Sequence, residues 1–100
     1  MDTVEKCMMI IAKAGEAKTL ALEAIHKARE KQFEEAGKLL EESEKALTES
    51  HNAHSDLLFY DAEHEDLKVT IFMVHAADHL ASADTVRILA EEIIKLREEG

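Results

Sequence analysis

Six histidines stand in this chain of 100 residues, and two of them are spaced to act together. His75 and His79 are four residues apart in the segment Ile71-Phe72-Met73-Val74-His75-Ala76-Ala77-Asp78-His79-Leu80. On an α-helix, residues four apart are neighbours on one side. A neutral imidazole nitrogen can serve as a nucleophile or a metal ligand. Heptad steps along the segment visit Ile71, His75, Asp78, Ser82, Thr85 or Val86, Leu89 and Ile93. That stripe is apolar at both ends and polar in the middle. A buried polar group costs about 2 kcal/mol or more unless it is paired, so the interruption calls for a purpose. Three chemistries fit it. One is a polar layer that fixes register in a helical bundle, with both imidazoles hydrogen-bonded. Another is a transition-metal site built on the two imidazoles. The third is a nucleophilic His75, with Ala76 and Ala77 leaving room beside it for a bulky phosphoryl donor.

The other histidines carry less. His51 and His54 are three apart and could face the helix that holds His75, although surface or cap positions are commoner for such residues. His26 and His64 are expected in solvent. Glu23-x-x-His26 has the spacing used in carboxylate-bridged metal bundles, but such a site needs the motif twice. The nearest second copy, Asp61-x-x-His64, falls in an expected loop. The chain has no glycine-rich phosphate loop and no cysteine pair.

The elements that must position these residues are helices. With no proline, and with Gly15 and Gly37 as the internal glycines, the chain lacks the turn residues a many-stranded sheet requires. At 46% hydrophobic it has enough apolar residues to fold. The fold class is all-α, a single domain with helices over about 3–30, 33–59 and 67–98. Asp2 or Thr3 is placed to cap the first helix. Cys7, Ile10, Ala14, Ala17, Ala21, Ala24 and Ala28 form a small-residue stripe along it, suited to close packing. A second stripe holds Val4, Met8, Ile11, Gly15, Leu22 and Ile25. In the second helix the inward positions are Phe33, Ala36, Leu40, Ser43, Leu47, Ser50, His54 and Leu57 or Leu58. A tight join at Lys31-Gln32 makes the first two helices antiparallel. The acidic segment Tyr60–Asp66 reads as a loop, with Glu65 or Asp66 capping the third helix. Three long helices expose much surface, which argues for an oligomer.

Charge excludes further classes. Twelve Lys and Arg against 22 Asp and Glu give a formal net charge of −10. Such a surface repels nucleic-acid phosphates and anionic lipid, so neither is an expected partner. No apolar run approaches the roughly 20 residues that span a bilayer. The N-terminus lacks a signal peptide's basic flank. The lone Cys7 fits a reducing compartment. A cytoplasmic protein is the expectation.

At Val74-His75-Ala76-Ala77-Asp78-His79-Leu80 the chain resembles the lactose/cellobiose-specific IIA components of the bacterial phosphoenolpyruvate-dependent sugar phosphotransferase system. That family's third-helix motif reads approximately V-H-[AG]-Q-D-H-L. Ala14-Gly15-Glu16-Ala17-Lys18 resembles its first-helix A-G-[DE]-A-[RK], Phe33-Glu34-Glu35-Ala36 its second-helix start, and His51–Ser55 its second-helix histidine segment. The resemblance implies a three-helix up-down-up chain assembled as a nine-helix homotrimer. It implies that His75 takes a phosphoryl group from the general histidine-containing phosphocarrier protein and passes it to a cysteine of the cognate IIB component. His79, and His54 with it, would support the transfer. Asp78 would meet its two symmetry mates around Mg²⁺ or a similar divalent cation on the trimer axis. A hard cation with oxygen ligands would relieve the repulsion among three carboxylates.

The chain departs from the family pattern at four places. Ala77 replaces a glutamine, Ala81-Ser82 replaces Met-Thr, His54 replaces a glutamine, and Lys31-Gln32 replaces Gly-Asp before the second helix. An amide missing at position 77 removes a donor that could meet the phosphate, a role His54 could take. The alternative function is therefore a non-catalytic helical oligomer, a divergent or regulatory relative whose His/Asp seam is structural or binds a metal. For a phosphocarrier, the acidic residues are expected to lie away from the His75 groove.

Overall fold

The computed structural model describes residues 2–63 and 70–100. It contains three α-helices in chain order: α1 (Thr3–Arg29), α2 (Phe33–Glu63) and α3 (Ile71–Glu99). Among the described residues there is no strand. The helices run up, down and up along a rod of 53 × 17 × 17 Å.

Local chemistry sets most of the helix ends. Asp2, in extended backbone, caps α1 by accepting the Glu5 N–H on Oδ1 at 2.8 Å. Thr70 caps α3 in the same way, its Oγ1 accepting the Met73 N–H at 3.3 Å. The third helix is described from Ile71 onward. Glu65 and Asp66, the expected caps, lie outside the described residues, as do His64 and Leu67. At its other end, α2 continues past Phe59 to Glu63, so Tyr60–Glu63 is helical rather than loop.

The join between α1 and α2 is as tight as expected. Gln32 N–H reaches the Lys27 carbonyl at 2.9 Å and Lys31 N–H reaches the Ala28 carbonyl at 2.9 Å. This is a Schellman cap, which turns the chain through one left-handed residue. That residue is Lys31, with φ of 63°. It stands where the resembled family has glycine, and a side chain with a Cβ is strained in this conformation.

Packing follows heptad spacing on all three helices. Cys7, Ile10, Ala14, Ala17, Ala21, Ala24 and Ala28 are all buried on α1. On α2 the buried set includes Ala36, Ser43, Leu47, Ser50 and Leu57. Three of the expected inward residues there, Phe33, Leu40 and His54, are half-buried, and Leu58 is exposed. On α3 the buried residues are Ala76, Leu80, Ala83, Ala90 and Ile94. Alanines on facing helices allow the short interaxial distances, roughly 8 Å, at the tight end of the helix-packing range. The two buried serines fit the same narrow space. Ser43 Oγ donates to the Ala17 carbonyl at 2.7 Å, and Ser50 Oγ donates to the Ile10 carbonyl at 2.8 Å. Burial also pushes the Cys7 thiol up from its ordinary value, so it stays protonated and inert near neutral pH.

The periodicity of α3 leaves open which of its heptad stripes faces inward, and the packing decides it. The stripe through Ile71, His75, Asp78, Ser82 and Leu89 does not face the chain's own core. Within one chain Ile71 is 87% exposed, Val74 60% and Leu89 55%. The physical reason is that α3 carries two heptad stripes, and the alanine-rich one fits the alanine-rich face of α1 more closely. Arg87 is half-buried in that inner stripe, with Nε 2.9 Å from Glu44 and Nη1 3.3 Å from Glu91.

The strained Lys31 gives a direct test. Lys31→Gly is expected to stabilise the fold by about 1 kcal/mol, raising Tm by several degrees in a thermal unfolding scan. A Tm unchanged or lowered would show that the left-handed residue carries no strain.

Candidate active site

His75 lies in the second turn of α3, just inside the Thr70 cap. A capped helix start is rigid and carries a partial positive charge of roughly half an electron, which favours anions. His75 is exposed and His79 half-buried. Their Nε2 atoms are 3.1 Å apart, and the rings meet edge to face with centroids 4.4 Å apart. A bond between two imidazole nitrogens needs one N–H donor and one lone pair. The two rings must therefore hold opposite tautomers at Nε2 when both are neutral.

An open depression of about 530 Å³ adjoins His75, lined by Thr70, Ile71, Val74, His75 and Asp78. Its floor is apolar, and Asp78 is the one acidic residue among those five.

Helical geometry sorts the remaining candidates. At about 100° per residue, His79 lies about 40° round α3 from His75, and Asp78 about 60° the other way. Ser82 falls between them. Asp84 lies about 180° from His75, on the side that faces α2. There its carboxylate takes His51 Nε2 at 2.9 and 3.0 Å. His54 is half-buried on α2, one turn nearer the His75 end than this pair. Within one chain the body of α3 separates His54 from His75, so the structure does not bring them together. The same geometry places Ala77 about 200° from His75. An amide at position 77 would not reach a phosphoryl group on His75 of the same chain. Ala76 is buried in the core and does not flank the imidazole.

Among the described residues no group of three or more His, Cys, Asp or Glu side chains is gathered to hold a metal. His75 and His79 supply two nitrogens, short of the three or four protein ligands of a zinc site. His26 is exposed at the far end of α1, beside Arg29 and Glu30. No described helix is long and apolar enough to cross a membrane.

With the geometry in view, the comparisons decide the family. Residues 5–98 match the family described as the PTS system, Lactose/Cellobiose specific IIA subunit. The chain belongs to the lactose/cellobiose-specific IIA family. Among curated relatives, the galactose-specific EIIA component of Lactococcus lactis subsp. cremoris is 41% identical over 93 residues, covering 93% of this chain and 80% of that one. Among solved structures, the cellobiose-specific enzyme IIA of Bacillus anthracis superposes with a TM-score of 0.91 at 30% identity, over 99% of this chain and 92% of that one. The chitobiose IIA in its solution complex with HPr from Escherichia coli gives 0.87 at 32% identity, over 99% and 97%. This IIA chain therefore shares both sequence and three-helix architecture with sugar-specific components.

Sequence reasoning missed two residues that the structure ties to the site's helix. Asp84 anchors α3 to α2, and Lys18 Nζ donates to Ser82 Oγ at 3.0 Å across the α1–α3 groove. The usable signal for Lys18 was its place in Ala14-Gly15-Glu16-Ala17-Lys18, a long cation among small residues.

The imidazole pair makes a spectroscopic prediction. Nitrogen-15 NMR above the histidine titration range should find one of His75 and His79 protonated at Nε2 and the other at Nδ1. Identical tautomers in the two rings would remove the hydrogen bond between them.

Proposed function

We propose that this IIA chain is a phosphocarrier that works through His75. The observation that carries the reading is the Nε2–Nε2 contact of His75 and His79 at the capped start of α3. In the proposed transfer, His75 carries its proton on Nδ1 and attacks phosphorus with the Nε2 lone pair. The P–N bond of the incoming phosphohistidine, protonated on its other ring nitrogen, breaks, and the donor leaves as neutral imidazole with the electron pair while His75 becomes the phosphorylated imidazolium. The His79 Nε2–H, which had faced His75 Nε2, then turns to a phosphoryl oxygen. Little bonding change falls to other groups, so positioning and charge stabilisation do the work. The partial positive charge at the start of α3 acts in the same sense. Onward transfer reverses the step, with a cysteine thiolate of the IIB component attacking phosphorus and His75 recovering its lone pair. A solved relative forms a complex with HPr, which supports that protein class as the donor. Ile71 and Val74 offer an apolar rim against which a partner can exclude water from the labile P–N bond.

The working unit in this reading is a nine-helix homotrimer. Val4, Met8 and Leu22 on α1 and Ile71, Val74, Leu89, Ile93 and Leu96 on α3 are all exposed in the single chain. Such contiguous apolar stripes mark association surfaces. Gly15 lies in the α1 stripe, and a Cβ built there meets no atom within 4 Å. A mid-helix glycine costs about 1 kcal/mol relative to alanine. Its own chain gains nothing from the gap, whereas a neighbouring helix can fill it. His54, separated from His75 in its own chain, would assist only across such an interface.

Asp78 is the residue that would hold Mg²⁺ or a similar divalent cation on the trimer axis. It fits a hard ion: its oxygens are exposed on the apolar seam and, among the described residues, take no hydrogen bond or ion pair. When bound, the ion would neutralise three clustered carboxylates and tie the chains together.

Incubation with phosphoenolpyruvate and the two general phosphotransferase proteins should give acid-labile phosphate on the chain. His75→Ala should abolish it, and His79→Ala should slow it by about 10- to 100-fold. Unlabelled wild type would instead leave the non-catalytic oligomer, and label retained in His75→Ala would remove His75 as the acceptor. Independently, sedimentation should give three times the 11.2 kDa chain mass. Gly15→Leu should shift the protein toward monomers while its helical circular dichroism is kept.

A further inference from the structure

We infer that Lys18 is the built-in counter-ion of Asp78, so that the seam on α3 stays charge-balanced when no divalent cation is bound. The inference rests on the trimer reading, because three Asp78 carboxylates approach one another only there.

Four lysines hold carboxylates among the described residues, and Lys18 is not one of them. Lys13 is held by Glu16 and Glu49, Lys27 by Glu35, Lys38 by Glu34, and Lys95 by Glu91 and Glu92. Lys18 has no carboxylate within ion-pair distance among the described residues. On its own helix the positions three and four away are Ala14, Gly15, Ala21 and Leu22. Its half-buried side chain instead crosses the α1–α3 groove and donates to Ser82 Oγ at 3.0 Å. Ser82 is one turn from Asp78 on the same face of α3, where side chains four apart are direct neighbours. A cation and a carboxylate, neither in an ion pair among the described residues, thus lie one turn apart on a face that also carries the His75–His79 pair and the exposed apolar residues Ile71, Val74, Leu89 and Ile93.

Covering that surface withdraws water from both charges, and a buried charge without a partner is strongly unfavourable. Three lysines set against three aspartates cancel the layer without any ion. The Ser82 hydroxyl holds the ammonium at the level of the layer, which gives the contact between α1 and α3 a role beyond packing.

The test compares wild type, K18M, D78N and the double variant by sedimentation over a dilution series, in EDTA and in Mg²⁺. Wild type should remain trimeric in both buffers. K18M should stay assembled in Mg²⁺ but dissociate at a concentration at least tenfold higher than wild type in EDTA. Adding K18M to D78N should change nothing further. Wild type that falls apart on chelation overturns the inference, and so does K18M that matches wild type in EDTA. If wild type is monomeric in both buffers, the trimer reading fails and the inference falls with it, an outcome distinct from a trimer that K18M leaves unchanged in EDTA.

Discussion

The close approach of three helix backbones is the constraint from which the rest follows. Alanine at Ala14, Ala17, Ala21, Ala24 and Ala28 on α1, and at Ala76, Ala83 and Ala90 on α3, leaves room for little else between the axes. Even the polar groups admitted to this space are small. Ser43 and Ser50 fit because each hydroxyl finds a carbonyl of α1. Dispersion contacts are short-ranged, so interfaces of this kind reward exact matching of small side chains. Once the alanine stripe of α3 is committed to α1, the heptad stripe beside it has to face outward. His75, Asp78 and Ser82 are exposed or half-exposed for that reason.

One helix therefore serves two surfaces. Its inner face holds the chain together, and its outer face carries His75, Asp78 and an apolar seam. The site gains from this division. A 29-residue helix, capped by Thr70 and clamped to α2 through Asp84 and Arg87, holds the His75–His79 geometry without loops. Reactive groups on rigid elements need little reorganisation when a partner arrives. Among the described residues that line the depression beside His75, Asp78 is the one carboxylate, so the acidity of the chain is not concentrated on them.

The departures from the family pattern also separate by position. Lys31 replaces a glycine in a left-handed turn and bears on stability alone. Ala77 and His54 lie on the α2 side of α3, away from His75 of the same chain. Their significance belongs to contacts between chains or with partners, and the fold accommodates them without visible distortion.

Much of this was legible in the residues themselves. The absence of proline, the scarcity of glycine and the heptad alanines determined three long helices. The spacing of His75 and His79 determined that their rings would meet, because a contact between residues four apart is a property of one helix. The turn at Lys31-Gln32 was equally local. The sequence by itself left open which of two heptad stripes on α3 would face inward, since both have apolar residues at the right period. It did not show which group of α3 would take His51, and it gave no sign of the reach from Lys18 to Ser82. Those choices depend on how three surfaces fit one another at short range. They were decided only when the helices packed, because steric complementarity between elements is not encoded in the periodicity of any one of them.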